Sequence, residues 1–290
     1  MQRFLPSIRI HAWGGLGSQL FAVALAQDIS EKFPQRRIRI VLHSGGVTHR
    51  IPEVTSLYPQ WDFQFVDDFV NRGELTDDCS PSRTIVSKAL YRGLIKNFLF
   101  RSGIASSCDN NEEFSNIKPW LLICRGHYSY RSIGSKFLSE LDKTLTRNLP
   151  PLDARDICAI HYRMGDLLTL KEKNPISGDL ILNQFESASK IYNFKTLIIF
   201  SDSPNDATKI FETVKHIEIL VPDTSTVEAI AYSADSKLFI GTSSKISFWI
   251  SGIRSQIRKK PSLLPEENLA QFRELIGNNI NLITTYSISE

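Results

Sequence analysis

The sequence predicts an α/β fold made of two units, each a mostly parallel sheet dressed with helices. Three observations predict it. Short β-type runs alternate with longer helical stretches, and a strand–helix–strand order favours parallel pairing because the helix is the crossover. A chain of 290 residues fits two domains at about 100–200 residues each. The alternation breaks at Pro150-Pro151 within RNLPPLDARD and then restarts, which reads as a linker. The expected domains are residues 1–150 and 151–290, with the last helix free to pack back on the first domain.

The elements follow in order. Residues 7–13 (SIRIHAW) put Ile8, Ile10 and Ala12 on one face at period two, as a strand does. A glycine turn, Gly14-Gly15-Leu16-Gly17, comes next. A helix then opens at Ser18, a good N-cap, and carries Leu20, Phe21, Ala24 and Leu25 at helical spacing. Residues 38–42 (IRIVL) are a strand. Residues 60–125 mix turn signals with one helical run, VSKALYRGLIKNFLF, and a short strand at 120–124. Residues 136–147 are helical. Beyond the linker, strands are expected at 157–163, 196–202, 217–221 and 237–241. Helices are expected near 180–192, from Ser203-Pro204, from Ser243-Ser244 and at 265–277. There is no internal repeat.

Composition narrows the function classes. Apolar residues make up 42% and charged residues 22%, which suits packed globules and excludes disorder. A net charge of +3 is too small to mark a nucleic-acid binder. Cys79, Cys108, Cys124 and Cys158 form no CxxC pair, so they read as buried thiols in a reducing compartment. The N-terminus lacks an apolar core of signal-peptide length, and no stretch reaches the roughly 18 apolar residues of a membrane span. The expectation is a soluble, cytoplasmic protein. Arg254, Arg258, Lys259 and Lys260 make a basic cluster, read as a solvated face with at most peripheral membrane contact.

Ligands of open α/β sheets bind outside the carboxyl ends of the strands, so polar residues there are the candidates. Two such units would face a ligand cleft between them. Gly15, Gly17, Ser18 and Gln19 lie between strand and helix, where backbone can approach an anion, or simply turn. The third glycine of a dinucleotide fingerprint is replaced by Leu20. In His161-Tyr162-Arg163-Met164-Gly165-Asp166, at a strand end, a guanidinium can grip a phosphate bidentately. An Arg163–Asp166 ion pair beside a satisfied histidine is the plainer alternative. Thr242, Ser243 and Ser244 precede a helix, as an anion site or a serine cap. Asp202 ends another strand and suits a turn or cap as well.

Together these segments resemble a known family. GGLGSQLF is similar to the GGLGNQLF motif of bacterial α1,2-fucosyltransferases (glycosyltransferase family 11), and HYRMGD to the HxRRGD motif shared with α1,6- and, more loosely, protein O-fucosyltransferases. GHYSYRSI, IFSDS and ADSKLFIGTSSKISFW look like their GYxQSE, FSDD and SxFSWW segments, in family order over residues 14–249. The resemblance implies a two-domain GT-B fold, a GDP-fucose donor and inverting transfer without metal or cofactor. The acceptor would be a glycan, at galactose O2 in an α1,2 linkage, on a lipid-linked substrate such as an O-antigen unit.

By position, Arg163 would hold the donor β-phosphate, flanked by His161 and Asp166, with Thr242, Ser243 and Ser244 around the diphosphate. Glu228 falls where the α1,6 enzymes carry a carboxylate that pairs with guanine. Ser18, Met164 and Ser203 depart from the family's asparagine, second arginine and second aspartate. Met164 keeps open another GDP-linked deoxyhexose, or a non-catalytic sugar-nucleotide binder. Inversion needs a base for the acceptor hydroxyl, and Asp166, Glu172 and His161 are its candidates. No DxD occurs; the nearest acidic pairs are Asp67-Asp68 and Asp77-Asp78, in the irregular region, and the histidines show no HxxxH or HExxH spacing, so no metal is expected.

Overall fold

A computed structural model of the chain describes residues 6–45, 48–69, 93–147, 154–164, 167, 175–277 and 282–288. Contacts divide the chain into two compact units, Met1–Ser132 and Ile133–Glu290.

Unit 1 is built on a five-stranded sheet of order β3-β2-β1-β5-β4. Its strands are β1 (Ile8–Trp13), β2 (Ile38–His43), β3 (Asp62–Val66), β4 (Ala105–Ser106) and β5 (Ile123–Arg125). All its pairings are parallel. The crossover from β1 to β2 is α1 (Leu16–Lys32), which is apolar on most sides and buried accordingly from Leu16 to Ala26. The other helices among the unit's described residues are α2 (Val54–Leu57), α3 (Gly93–Arg101) and α4 (Asn111–Ser115).

The start of α1 corrects one expectation. Ser18 lies inside the helix, and Gly15 is the N-cap. The cause is local: Gly14 turns the chain at φ +98°, a region that disfavours side chains, so the helix begins directly after the glycine pair. The Leu16 N–H is then capped by the Glu53 carboxylate at 3.3 Å, which also complements the positive end of the helix.

Unit 2 holds a six-stranded sheet of order β11-β10-β9-β6-β7-β8, again parallel throughout. Its strands are β6 (Ile157–Tyr162), β7 (Thr196–Ser201), β8 (Glu218–Leu220), β9 (Leu238–Gly241), β10 (Ser262–Pro265) and β11 (Ile283–Tyr286). The α-helices among its described residues are α5 (Ser135–Thr146), α6 (Gly178–Ser189), α7 (Pro204–Phe211), α8 (Thr226–Asp235), α9 (Lys245–Ile253) and α10 (Leu269–Ile276). Alternate residues of β6 enter one core: Cys158, Ile160 and Tyr162 pack with Ile181, Phe185, Leu197, Ile199, Phe211, Leu238 and Ile240.

Of the basic cluster read as a solvated face, Lys259 alone is exposed. Arg254 is fully buried. Its guanidinium donates to the carbonyls of Ser233, Ala234, Ser236, Lys237 and Pro261. Arg258 pairs with Asp142 and Lys260 with Asp235. Cys108, Cys124 and Cys158 are buried free thiols; Cys79 lies outside the described residues. Among the described residues no helix is long and apolar enough to cross a membrane.

Candidate functional site

The unit 2 sheet reverses its strand order beside β6. From β6 the chain proceeds outward through β7 and β8, then returns to the other side of β6 with β9 and continues to β10 and β11. A crevice opens outside the carboxyl ends at such a switch point. His161 and Gly241 are register partners there. The residues that follow β6, β7 and β9 are Arg163 (after Tyr162), Asp202 and Thr242.

A hydroxyl network binds these ends together. Thr242 Oγ1 donates to the His161 carbonyl at 3.1 Å and accepts from the Arg163 N–H at 3.3 Å. The Thr242 N–H donates to Ser247 Oγ at 3.1 Å. His161 Nδ1 lies 3.1 Å from Ser247 Oγ and 3.2 Å from Ser244 Oγ. Ser244 is the N-cap of α9 and accepts from the Ser247 N–H at 3.0 Å. On the β7 side, the Met164 N–H donates to Asp202 Oδ1 at 2.7 Å. Segment 161–164 is therefore pinned from both neighbouring strands, with Arg163 between the pins.

Strand alternation decides which side chains serve the core. Tyr162 and Met164 are buried in the cluster under the sheet, and the Tyr162 hydroxyl donates to the Ile176 carbonyl at 2.7 Å. His161 and Arg163 take the other face. Burial pushes His161 down to about 4; Asp202 opposes this and Arg163 reinforces it. The imidazole is neutral at physiological pH, and the guanidinium of Arg163 is the cation of the group. A cation, several hydroxyls and the N-terminus of α9 suit a ligand with anionic oxygens.

Of the residues expected from sequence, His161, Arg163, Asp202, Thr242 and Ser244 come together here. Ser243 is adjacent, and its hydroxyl donates to Asn268 Oδ1 at 2.8 Å. Glu228 serves elsewhere: its carboxylate accepts from the N–H and hydroxyl of Ser225, completing the capping box of α8. Asp166 and Glu172 lie outside the described residues.

Gly15, Gly17, Ser18 and Gln19 belong to unit 1. The Gln19 amide donates to the Gly14 and Ile51 carbonyls and accepts from the Val54 N–H, so it ties the glycine turn to the segment before α2. Ser247, Asn268 and Glu53 escaped the sequence reading. The Ser244-x-x-Ser247 spacing at a helix start was a signal for the first; the other two meet their partners only through the fold.

No family model matches the chain, and no curated protein matches it. Among solved structures it is similar to E. coli heptosyltransferase WaaC with ADP, at 11% identity over 98% of this chain and 95% of that one, with a TM-score of 0.51. It is also similar to a glycosyl transferase family 9 structure from Veillonella parvula (12% identity, 98% and 88% covered, TM-score 0.48). A third is the NodZ alpha-1,6-fucosyltransferase soaked with GDP-fucose (12% identity, 86% and 92% covered, TM-score 0.43). The likeness to WaaC is one of fold: two parallel α/β units of the GT-B type.

Proposed function

We propose that the chain is a glycosyltransferase whose unit 2 binds a GDP-linked sugar, and that it transfers L-fucose with inversion to a hydroxyl of a glycan. Galactose O2 on a lipid-linked acceptor is the first acceptor to test. The observation that carries this reading is the pinned strand end at the unit 2 switch point. Arg163 stands there on backbone held by the Thr242 hydroxyl and by Asp202. The fold shared with a heptosyltransferase supports transfer from a sugar nucleotide.

In this reading, negative charge builds on the diphosphate as the glycosidic bond breaks. Arg163 and the N-terminus of α9 stabilise that charge where it develops, on a framework that the Thr242, Ser243 and Ser244 hydroxyls hold in place before reaction. Neutral His161 adds no positive charge of its own; through Ser244 and Ser247 it positions the hydroxyls.

Met164 bears on the sugar. Its side chain is buried in the unit 2 core, so the place of the family's second arginine is apolar and Arg163 acts without that neighbour. This favours a donor such as another GDP-linked deoxyhexose as the second reading.

The test is GDP release from GDP-fucose and related GDP-sugars in the presence of glycan acceptors. Acceptor-dependent release is expected, and Arg163→Ala should lower it by about 10²–10³-fold with the fold retained. GDP binding without acceptor-dependent release would instead identify a non-catalytic binder.

A further inference from the structure

Unit 1 holds a cavity of about 300 Å³ that the proposed donor site does not use. It lies along the edge strand β4, between the end of α3 and the stretch from α4 to Lys118. All of its walls come from residues 100–118, and so from unit 1 alone. Its volume is at the lower end of the range that ligand pockets occupy.

The walls combine two kinds of surface. Phe100, Ala105 and Ile117 supply apolar area. Arg101, Glu112, Glu113, Asn116 and Lys118 supply polar groups. Glu113 is fixed: its carboxylate accepts from the Ser107 hydroxyl and from the Asp109 N–H, the latter at 2.8 Å. Among the described residues, the side chains of Arg101, Glu112, Asn116 and Lys118 make no hydrogen bond or ion pair. Their donors and acceptors are open to a ligand.

Trp120 stands beside the cavity. Its side chain is 52% exposed, yet it is held from three points. The indole N–H donates to the Ser102 carbonyl at 2.7 Å. The Arg36 guanidinium donates to the carbonyls of Pro119 and Leu121, on either side of Trp120. Lys118 and Trp120 both pack over Gly103, which lines the cavity. A Cβ on Gly103 would lie 2.6 Å from Lys118 Cγ and 3.5 Å from Trp120 Nε1. An exposed indole held still offers contact area at low entropic cost.

The lining selects the class of ligand. An anion would meet Glu112 and Glu113, and a cation would meet Arg101 and Lys118, at a cost in either case. A neutral molecule whose groups both donate and accept suits both signs at once. Hydroxyls do this. A pyranose ring adds a face of C–H groups that packs on an aromatic side chain.

We propose that this cavity binds an uncharged hexopyranose unit of a glycan. The C–H face of the sugar packs on Trp120, and its hydroxyls pair with Arg101, Glu112, Asn116 and Lys118. Glycans are also the acceptor class of the reaction proposed above. Binding here uses residues of unit 1 only, and it holds whether or not unit 2 transfers a sugar.

The test is a nitrogen NMR titration of the full chain with the methyl glycosides of galactose, glucose, mannose and N-acetylglucosamine. Inorganic phosphate and glycylglycine are titrated in parallel. The Trp120 indole N–H and the Gly103 backbone N–H should shift with at least one glycoside at millimolar concentration. Trp120→Ala and Lys118→Met, both at exposed side chains, should each weaken that binding about tenfold, read at Gly103. Both variants should bind GDP as the wild type does. No shift with any glycoside would overturn the proposal. A response to phosphate or glycylglycine alone would overturn it as well, since it marks a site for ions. Glycoside binding untouched by both substitutions would place the sugar elsewhere and contradict it too. A chain that binds glycosides here without binding GDP would contradict the donor reading and support this site.

Discussion

Thr242 shows how one side chain can assemble a site. Its single hydroxyl satisfies a carbonyl on one side of the β6 end and an N–H on the other. Thr242→Val keeps the shape and removes both bonds. We expect a loss of about 1–3 kcal/mol in denaturant titration and a clear weakening of GDP binding; unchanged GDP affinity would detach Thr242 from the donor site. The histidines set a pH dependence. His161 and His11 lie below their ordinary value in the folded protein, at about 4 and about 3. As pH falls through about 6.5 the unfolded chain takes up protons that the folded chain refuses, so stability falls by about 1.4 kcal/mol per pH unit for each such histidine. Denaturation midpoints measured from neutral pH down to about pH 5 should decline, and His161→Gln should flatten part of the slope. A midpoint constant across that range would contradict the neutral assignment.

At the scale of elements, Arg254 joins the end of α8, the approach to β9 and the approach to β10 through backbone carbonyls. Arg254→Met removes donors from several buried acceptors at once and should cost about 3 kcal/mol or more. Arg254→Lys cannot reproduce the fork and should recover little. Near the site, a Cβ on Gly241 would lie 2.7 Å from Leu264, 2.9 Å from Phe239 and 2.9 Å from Ser247. Gly241→Ala should therefore displace Ser247 and weaken GDP binding, readable by titration calorimetry.

The same scale explains what the sequence revealed. β1, α1, β2, β6 and β7 are strongly periodic or continuously apolar, and their polar ends announced Arg163 and Asp202. β3 was hidden because Asp62 and Gln64 alternate with phenylalanines that are themselves partly exposed on an edge strand. β4 is two residues long, too short to carry a period. The His11–His43 pair spans 32 residues of sequence, and only the parallel register of β1 and β2 makes them neighbours. Arg254 looked like surface charge because its acceptors are backbone carbonyls, which leave no mark in composition.

At the scale of the whole molecule, two parallel sheets each reverse strand order once and each place polar residues at the reversal. In unit 2 these are His161, Arg163, Asp202 and Thr242; in unit 1 they are His11, Trp13, His43 and Arg125. Binding to the folded state alone stabilises it, by about 2.7 kcal/mol at a hundredfold excess over Kd. GDP should therefore raise the melting temperature and NAD should not. The most direct measurement of the central claim is calorimetric titration of the full chain with GDP, with ADP, UDP and NAD in parallel, each with and without EDTA. The account predicts selective, EDTA-insensitive binding of GDP that weakens in Arg163→Ala and Thr242→Val. No GDP binding, or a preference for another nucleotide, would contradict it.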